Sequence, residues 1–172
     1  MSHLVGTASL LAAHGAPVQM VAAGMMHASY PFGALSADGT GITTEKRQQV
    51  ASLVSPGVEY WVYLYAVFDW KGADIDLLTG NAERMVFPAG KSILIRLAND
   101  LEEYVSHSTR YIPQADDALK RWLPLYVEIA RLLEMPQLAA RVHQTIAEDK
   151  GLSAPLVLQA TKVQGSWSKA QG

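Results

Sequence analysis

Five histidines and no cysteine set the reactive inventory of this chain. Two of the histidines, His3 and His27, fall in otherwise small or apolar stretches, HLVGTASLL and AGMMHASY. An imidazole in such a setting can bind a metal through one ring nitrogen or exchange protons near neutral pH. The bland alternative makes His27 a satisfied core histidine and His3 a surface residue near a frayed end. Three more polar groups stand out against apolar surroundings. Glu59 lies inside GVEYWVYLYAVF, and Asn99 and Asp100 lie inside SILIRLANDLEEY. A buried glutamate favours its neutral form or finds a cation, for which Arg47 and the two histidines are candidates. Coupled to a histidine, it would form a general acid and base pair. Its alternative role is a first-turn carboxylate satisfying free helical N–H groups, and Arg47 has the alternative of a solvated cation beside Lys46. A buried Asn or Asp needs hydrogen-bond partners, which a polar pocket would supply. His14 reads as a helix-end residue, and His107 and His143 sit on polar stretches. No GxSxG, HExxH or phosphate-cradling glycine loop is present.

The elements that must position these groups read as helices. His3 to Gly15 has Leu4, Leu10 and Leu11 at helical spacing, with Gly15 as a stop. Pro17 suits the first turn of a second helix running to about Ser29. YPFGALSADGTG is loop chemistry. Thr43 or Thr44 caps the next helix, which Pro56-Gly57 breaks. The aromatic, β-branched run from Val58 to Trp70 predicts a buried helix, with Trp61 and its neighbours partly walling a pocket suited to a flat or apolar ligand. A short hairpin or irregular loop is expected near residues 73–87. The clearest helix carries the stripe Ile93, Leu94, Leu97, Leu101 and Tyr104, opposed by Arg96 and Glu103. Asp116 or Asp117 caps a further helix with Pro124 inside it, then PQLAARVHQTIAEDKG forms another ending at Gly151. APLVLQATKV forms a last one, and residues 162–172 read as a frayed tail.

Composition narrows the functional classes. The chain of 172 residues is 49% hydrophobic and 17% charged, with a net charge of −2. One domain, 1–172, is expected. The absence of a basic run argues against nucleic acid and anionic membranes as partners. Lack of cysteine removes disulfides, thiolate catalysis and thiolate-bound zinc. Neither a signal-peptide pattern nor an apolar run near the roughly 18 residues of a membrane span is found, so a cytoplasmic location is expected. The low charge and a mean hydropathy of +0.08 suit a well-buried helical core or a homodimer face.

The order of these segments resembles the HD-domain superfamily, whose members carry a His, then a His-Asp pair, then a distant Asp in an Ala-Asp-x-Leu setting. It is also similar to a group of small HD-like proteins known only as a domain of unknown function. That group runs HLxGTxxLL, AGxxHSxY, a loop, an Arg and an AE-type helix. Here the corresponding stretches are HLVGTASLL at His3 to Leu11, AGMMHASY at Ala23 to Tyr30, Arg47, Glu59 and LANDLEEY at Leu97 to Tyr104. The likeness spans roughly residues 3 to 104. Two positions depart from it: Ala28 stands where the His-Asp pair has its Asp, and Asn99 stands at the distant Asp, with Asp100 one step round the helix.

The resemblance implies an all-α, HD-like bundle extended by C-terminal helices. It implies a site in which His3 and His27, with Glu59, do acid–base or metal-assisted work on an organic substrate, with Tyr30, Arg47, Asn99 and Trp61 contacting it. A divalent metal such as iron would be held by His3, His27, Asn99 and Asp100, and the two lost carboxylates weaken that site. The other implied reading is an HD fold that has lost catalysis and binds a small-molecule ligand or a partner, as a dimer. The discriminating feature is whether Asp100 and Glu59 face the histidines or water.

Overall fold

A computed structural model of the chain describes residues 2–30, 41–68, 91–106 and 113–148. The described residues form seven helices and no strand, as the periodicity predicts. The expected hairpin near 73–87, the segment after Gly151 and the tail lie outside them. Two compact units emerge, Met1–Glu102 and Glu103–Gly172. The first contains α1 (Ser2–Ala13), α2 (Val18–Met26), α3 (Thr44–Leu53), α4 (Pro56–Val67) and α5 (Ile93–Val105) as far as Glu102. The second contains α6 (Pro113–Leu132) and α7 (Pro136–Glu148).

Local chemistry explains the helix ends. At the end of α1, Gly15 takes φ +79°, and the Gly15 and Ala16 N–H groups donate back to the carbonyls of Ala12 (3.1 Å) and Leu11 (3.0 Å). This is the reversal that a glycine just past a helix makes possible, because no Cβ opposes the left-handed conformation. The Pro17 carbonyl then accepts from Met20 and Val21 at 2.8 and 3.0 Å, starting α2. Thr43 caps α3 by accepting from the Lys46 N–H at 3.3 Å, and Ser55 caps α4 by accepting from Val58 at 3.2 Å with Pro56 at the first helical position.

Four elements differ from the sequence reading. Helix α6 begins at Pro113, so Asp116 and Asp117 lie within the helix rather than capping it. Helix α2 stops at Met26 rather than near Ser29, and His27 is its C-terminal cap, followed by a turn in which Ser29 donates to the Met26 carbonyl at 2.9 Å. Helix α4 buries one face, Val58, Glu59, Val62 and Tyr65, while Tyr60 is 41% exposed and Val67 48%. A tyrosine at a rim keeps its hydroxyl wet, so aromatic content alone overstates burial. Helix α5 departs the other way: besides the expected stripe, Ile95, Ala98, Asn99 and Asp100 are buried.

In the second unit, α6 and α7 pack together; Leu123, Tyr126, Val127, Ile129 and Ala130 of α6 and Leu138, Ala139, Val142 and Ile146 of α7 are buried. Their connection holds Glu134 at φ 58°, with the Met135 N–H donating to the Ala130 carbonyl at 2.8 Å. No helix among the described residues is long and apolar enough to cross a membrane.

Candidate functional site

The functional groups converge in the first unit because α1 and α2 pack closely through small residues. A Cβ placed on Gly24 would stand 2.7 Å from Leu11 Cδ1 and 3.5 Å from the Ala8 Cα. Glycine at that position lets α2 lie against α1, and His27 follows one turn later. The rings of His3 and His27 meet edge to face, with centroids 5.6 Å apart and planes at 83°. On its other side His27 meets Tyr65 of α4, at 5.2 Å and 69°. His3 keeps 33% of its side chain exposed, whereas His27 is 4% exposed.

Helix α5 supplies the polar partners. His3 Nδ1 is hydrogen-bonded to the Glu102 carboxylate, and its Nε2 stands 2.8 Å from Asn99 Oδ1. Asn99 Nδ2 donates to Asp100 Oδ1 at 3.0 Å, and the same oxygen accepts from Arg96 Nε at 2.7 Å. A carboxylate paired to arginine can only accept, so it fixes the amide with its NH2 toward Asp100 and its oxygen toward His3. Both ring nitrogens of His3 therefore face side-chain oxygens.

His27 is held oppositely. Its Nδ1 donates to the Gly24 carbonyl at 2.7 Å, which leaves the lone pair of the neutral ring on Nε2. Burial is the main force holding its pKa below the ordinary 6.5. The Gly24 carbonyl pulls the other way, repulsion from His3 adds to the lowering, and a hydrogen bond the charged ring donates to Asn99 opposes it.

A second cluster joins α3, α4 and the turn after α2. Glu59, 4% exposed, receives Arg47 Nε on Oε1 at 2.7 Å and Arg47 Nη2 on Oε2 at 2.8 Å, and Tyr30 donates to Oε1 at 2.7 Å. The guanidinium also lies over the Tyr63 ring, 3.7 Å from its centroid. Burial raises the Glu59 carboxyl, and the hydrogen bonds from Arg47 and Tyr30 overcome it, leaving the group below 4.5. Burial first, and then Glu59, push the Tyr30 hydroxyl far above its usual 10.0. A shallow depression of about 240 Å³ borders this cluster, lined by Thr44, Arg47, Gln48, Ala51 and Glu59.

The structure thus brings together His3, His27, Asn99 and Asp100, and separately Tyr30, Arg47 and Glu59. Asp100 and Glu59 both face inward; Asp100 reaches the histidines through Asn99, while Glu59 is bound by Arg47. Trp61 stacks edgewise on Tyr60, at 6.0 Å and 62°, at the margin of the buried face of α4. The carboxylate on a histidine is Glu102, and the counter-ion of Asp100 is Arg96. Sequence reading missed both roles, because Glu102 lies in the polar run DLEEY and Arg96 stands opposite the apolar stripe, and both placements suggest a solvated face.

The donor set does not fit a divalent metal such as iron. Asp100 is committed to Arg96 and the Asn99 amide. Both nitrogens of His3 have protein partners. Among the described residues no three His, Cys, Asp or Glu side chains gather as metal ligands.

Neither a curated protein nor a solved structure matches the chain. Residues 1–70 match the model of a family described as a domain of unknown function (DUF6817), a span that takes in His3, His27, Tyr30, Arg47 and Glu59 and ends before the helix that carries Asn99 and Glu102.

Proposed function

We propose that the first unit is a metal-free acid–base site acting on a small organic molecule. The observation that carries this reading is the pair of imidazoles in edge-to-face contact 5.6 Å apart, His3 a third exposed and His27 buried. Neighbouring titratable groups in different surroundings are a usual arrangement for dividing acid and base roles. His3, a third of it exposed, meets the substrate and donates a proton. Glu102 and Asn99 fix its ring. His27, with its Nε2 lone pair, accepts a proton. Arg47 and Glu59 border the depression and contact polar parts of the ligand, and Tyr30 holds Glu59 in place from behind. An HD-like origin goes with this reading through the order of the two histidine helices and the LAND segment. The cysteine-free composition suits a cytoplasmic enzyme.

The test is turnover of a panel of small esters, phosphoesters and hydroxy acids by the wild type, His3→Gln and His27→Gln. Loss of a general acid or base costs about 10² to 10⁴ in rate, so either variant should fall by at least about a hundredfold. Turnover that survives both substitutions sinks the proposal.

One observation favours a second reading, an HD-like fold without catalysis that binds a ligand, alone or as a homodimer. The depression borders Arg47 and Glu59, not the histidine rings. Calorimetric binding that is lost in Arg47→Ala, unchanged in His27→Gln and accompanied by no turnover would select it.

A further inference from the structure

We infer that Gly6 is a positioning residue of the histidine site, because its missing side chain is the opening through which Glu102 reaches His3. Gly6 lies one turn beyond His3 on α1, so the two share a face of the helix. A Cβ placed on Gly6 would stand 2.6 Å from Glu102 Cγ, 2.9 Å from its Oε1 and 3.0 Å from its Cδ. Separations under 3.0 Å are not tolerated by real side chains. The Glu102 side chain therefore lies directly over the α1 backbone at Gly6 and ends on His3 Nδ1.

A glycine within a helix of 12 residues works against that helix. Gly6 does not lie at a helix end, and unlike Gly15 it does not take a left-handed conformation. The passage of Glu102 accounts for it. All the atoms in the way belong to one flexible side chain, half-buried, with no backbone among them. A methyl group at position 6 is thus accommodated by turning Glu102 aside, and the site loses the carboxylate on His3 while the helices keep their places.

The effect of Gly6 on turnover rests on the acid–base reading above, but the contact itself is measurable without a substrate. The experiment is imidazole ¹H and ¹⁵N NMR of the full chain together with thermal unfolding, for the wild type, Gly6→Ala, Glu102→Gln and the double variant. The expected result is that Gly6→Ala abolishes the hydrogen-bonded Nδ1 proton signal of His3 as Glu102→Gln does. The double variant should add nothing further, and the midpoint of Gly6→Ala should equal or exceed that of the wild type. A wild-type His3 signal in Gly6→Ala overturns the inference.

If Gly6→Ala fails to fold, Gly6→Ala/Glu102→Ala decides. Recovery of the fold, with the His3 signal of Glu102→Ala, supports Glu102 as the occupant of the gap, and failure to recover overturns it. Turnover unaffected in a Gly6→Ala protein that has lost the His3 signal would refute the acid–base role and leave the positioning role standing.

Discussion

At the scale of single residues, the acceptor state of His27 makes a stability prediction. Its pKa in the fold lies below 6.5, chiefly because the ring is buried. Below about pH 6.5 the unfolded chain takes up a proton at this residue before the folded chain does. The unfolded state then binds more protons, so stability falls as pH drops through that range, and it is fully present above it. Urea midpoints at pH 7.5 and 5.5 should therefore differ less in His27→Gln than in the wild type; equal differences would show that His27 titrates alike in both states. The context that exposes His27 in the sequence is simple, a polar ring in an apolar run, and Asn99 and Glu59 are legible for the same reason. Glu102 is not, because DLEEY reads as the water-facing side of α5. Its partner stands nearly the whole first unit away in the chain, and no local pattern links positions 3 and 102.

At the scale of elements, boundaries written in local chemistry were legible: Thr43 at the start of α3, Pro56 near the start of α4, and Gly15 beyond α1. Enclosure was not. The near-complete burial of α5 from Ile93 to Leu101, Arg96 excepted, depends on what surrounds the helix, whereas the sequence reports only its stripe. The same distinction separates two glycines. At Gly6 the obstacle is a polar, mobile side chain. At Gly24 it is Leu11 Cδ1 at 2.7 Å, on a residue with no exposed surface, and the Ala8 backbone lies just behind. A methyl group at position 24 has no empty space to enter, and overpacking of this kind typically costs about 1–3 kcal/mol. Gly24→Ala should therefore lower the denaturant midpoint despite alanine's better helix propensity. It should also disturb the contact between the His3 and His27 rings, since α2 must move away from α1. A Gly24→Ala protein as stable as the wild type would mean that the α1–α2 approach has slack.

At the scale of the whole molecule, the recognisable segment and the complete site do not coincide. Residues 1–70 match the family model, yet the hydrogen-bond partners that orient His3 come from α5, through Asn99, Asp100 and Glu102. The first compact unit likewise runs to Glu102. The apolar residues of α5 point the same way, because Ile93, Ile95, Leu97 and Leu101 have no exposed surface. Complete burial of such a side chain contributes about 1.5–3 kcal/mol. Four of them match a large part of the roughly 5–15 kcal/mol that holds a typical domain together. A fragment of residues 1–70 should therefore lack a cooperative unfolding transition, and its His27 should titrate near 6.5 like an ordinary histidine, whereas the full chain keeps His27 neutral to lower pH. Histidine NMR titration of the two proteins compares them directly. A fragment with a sharp transition and a depressed His27 would show that the first four helices suffice to build the acceptor, leaving α5 to orient only His3.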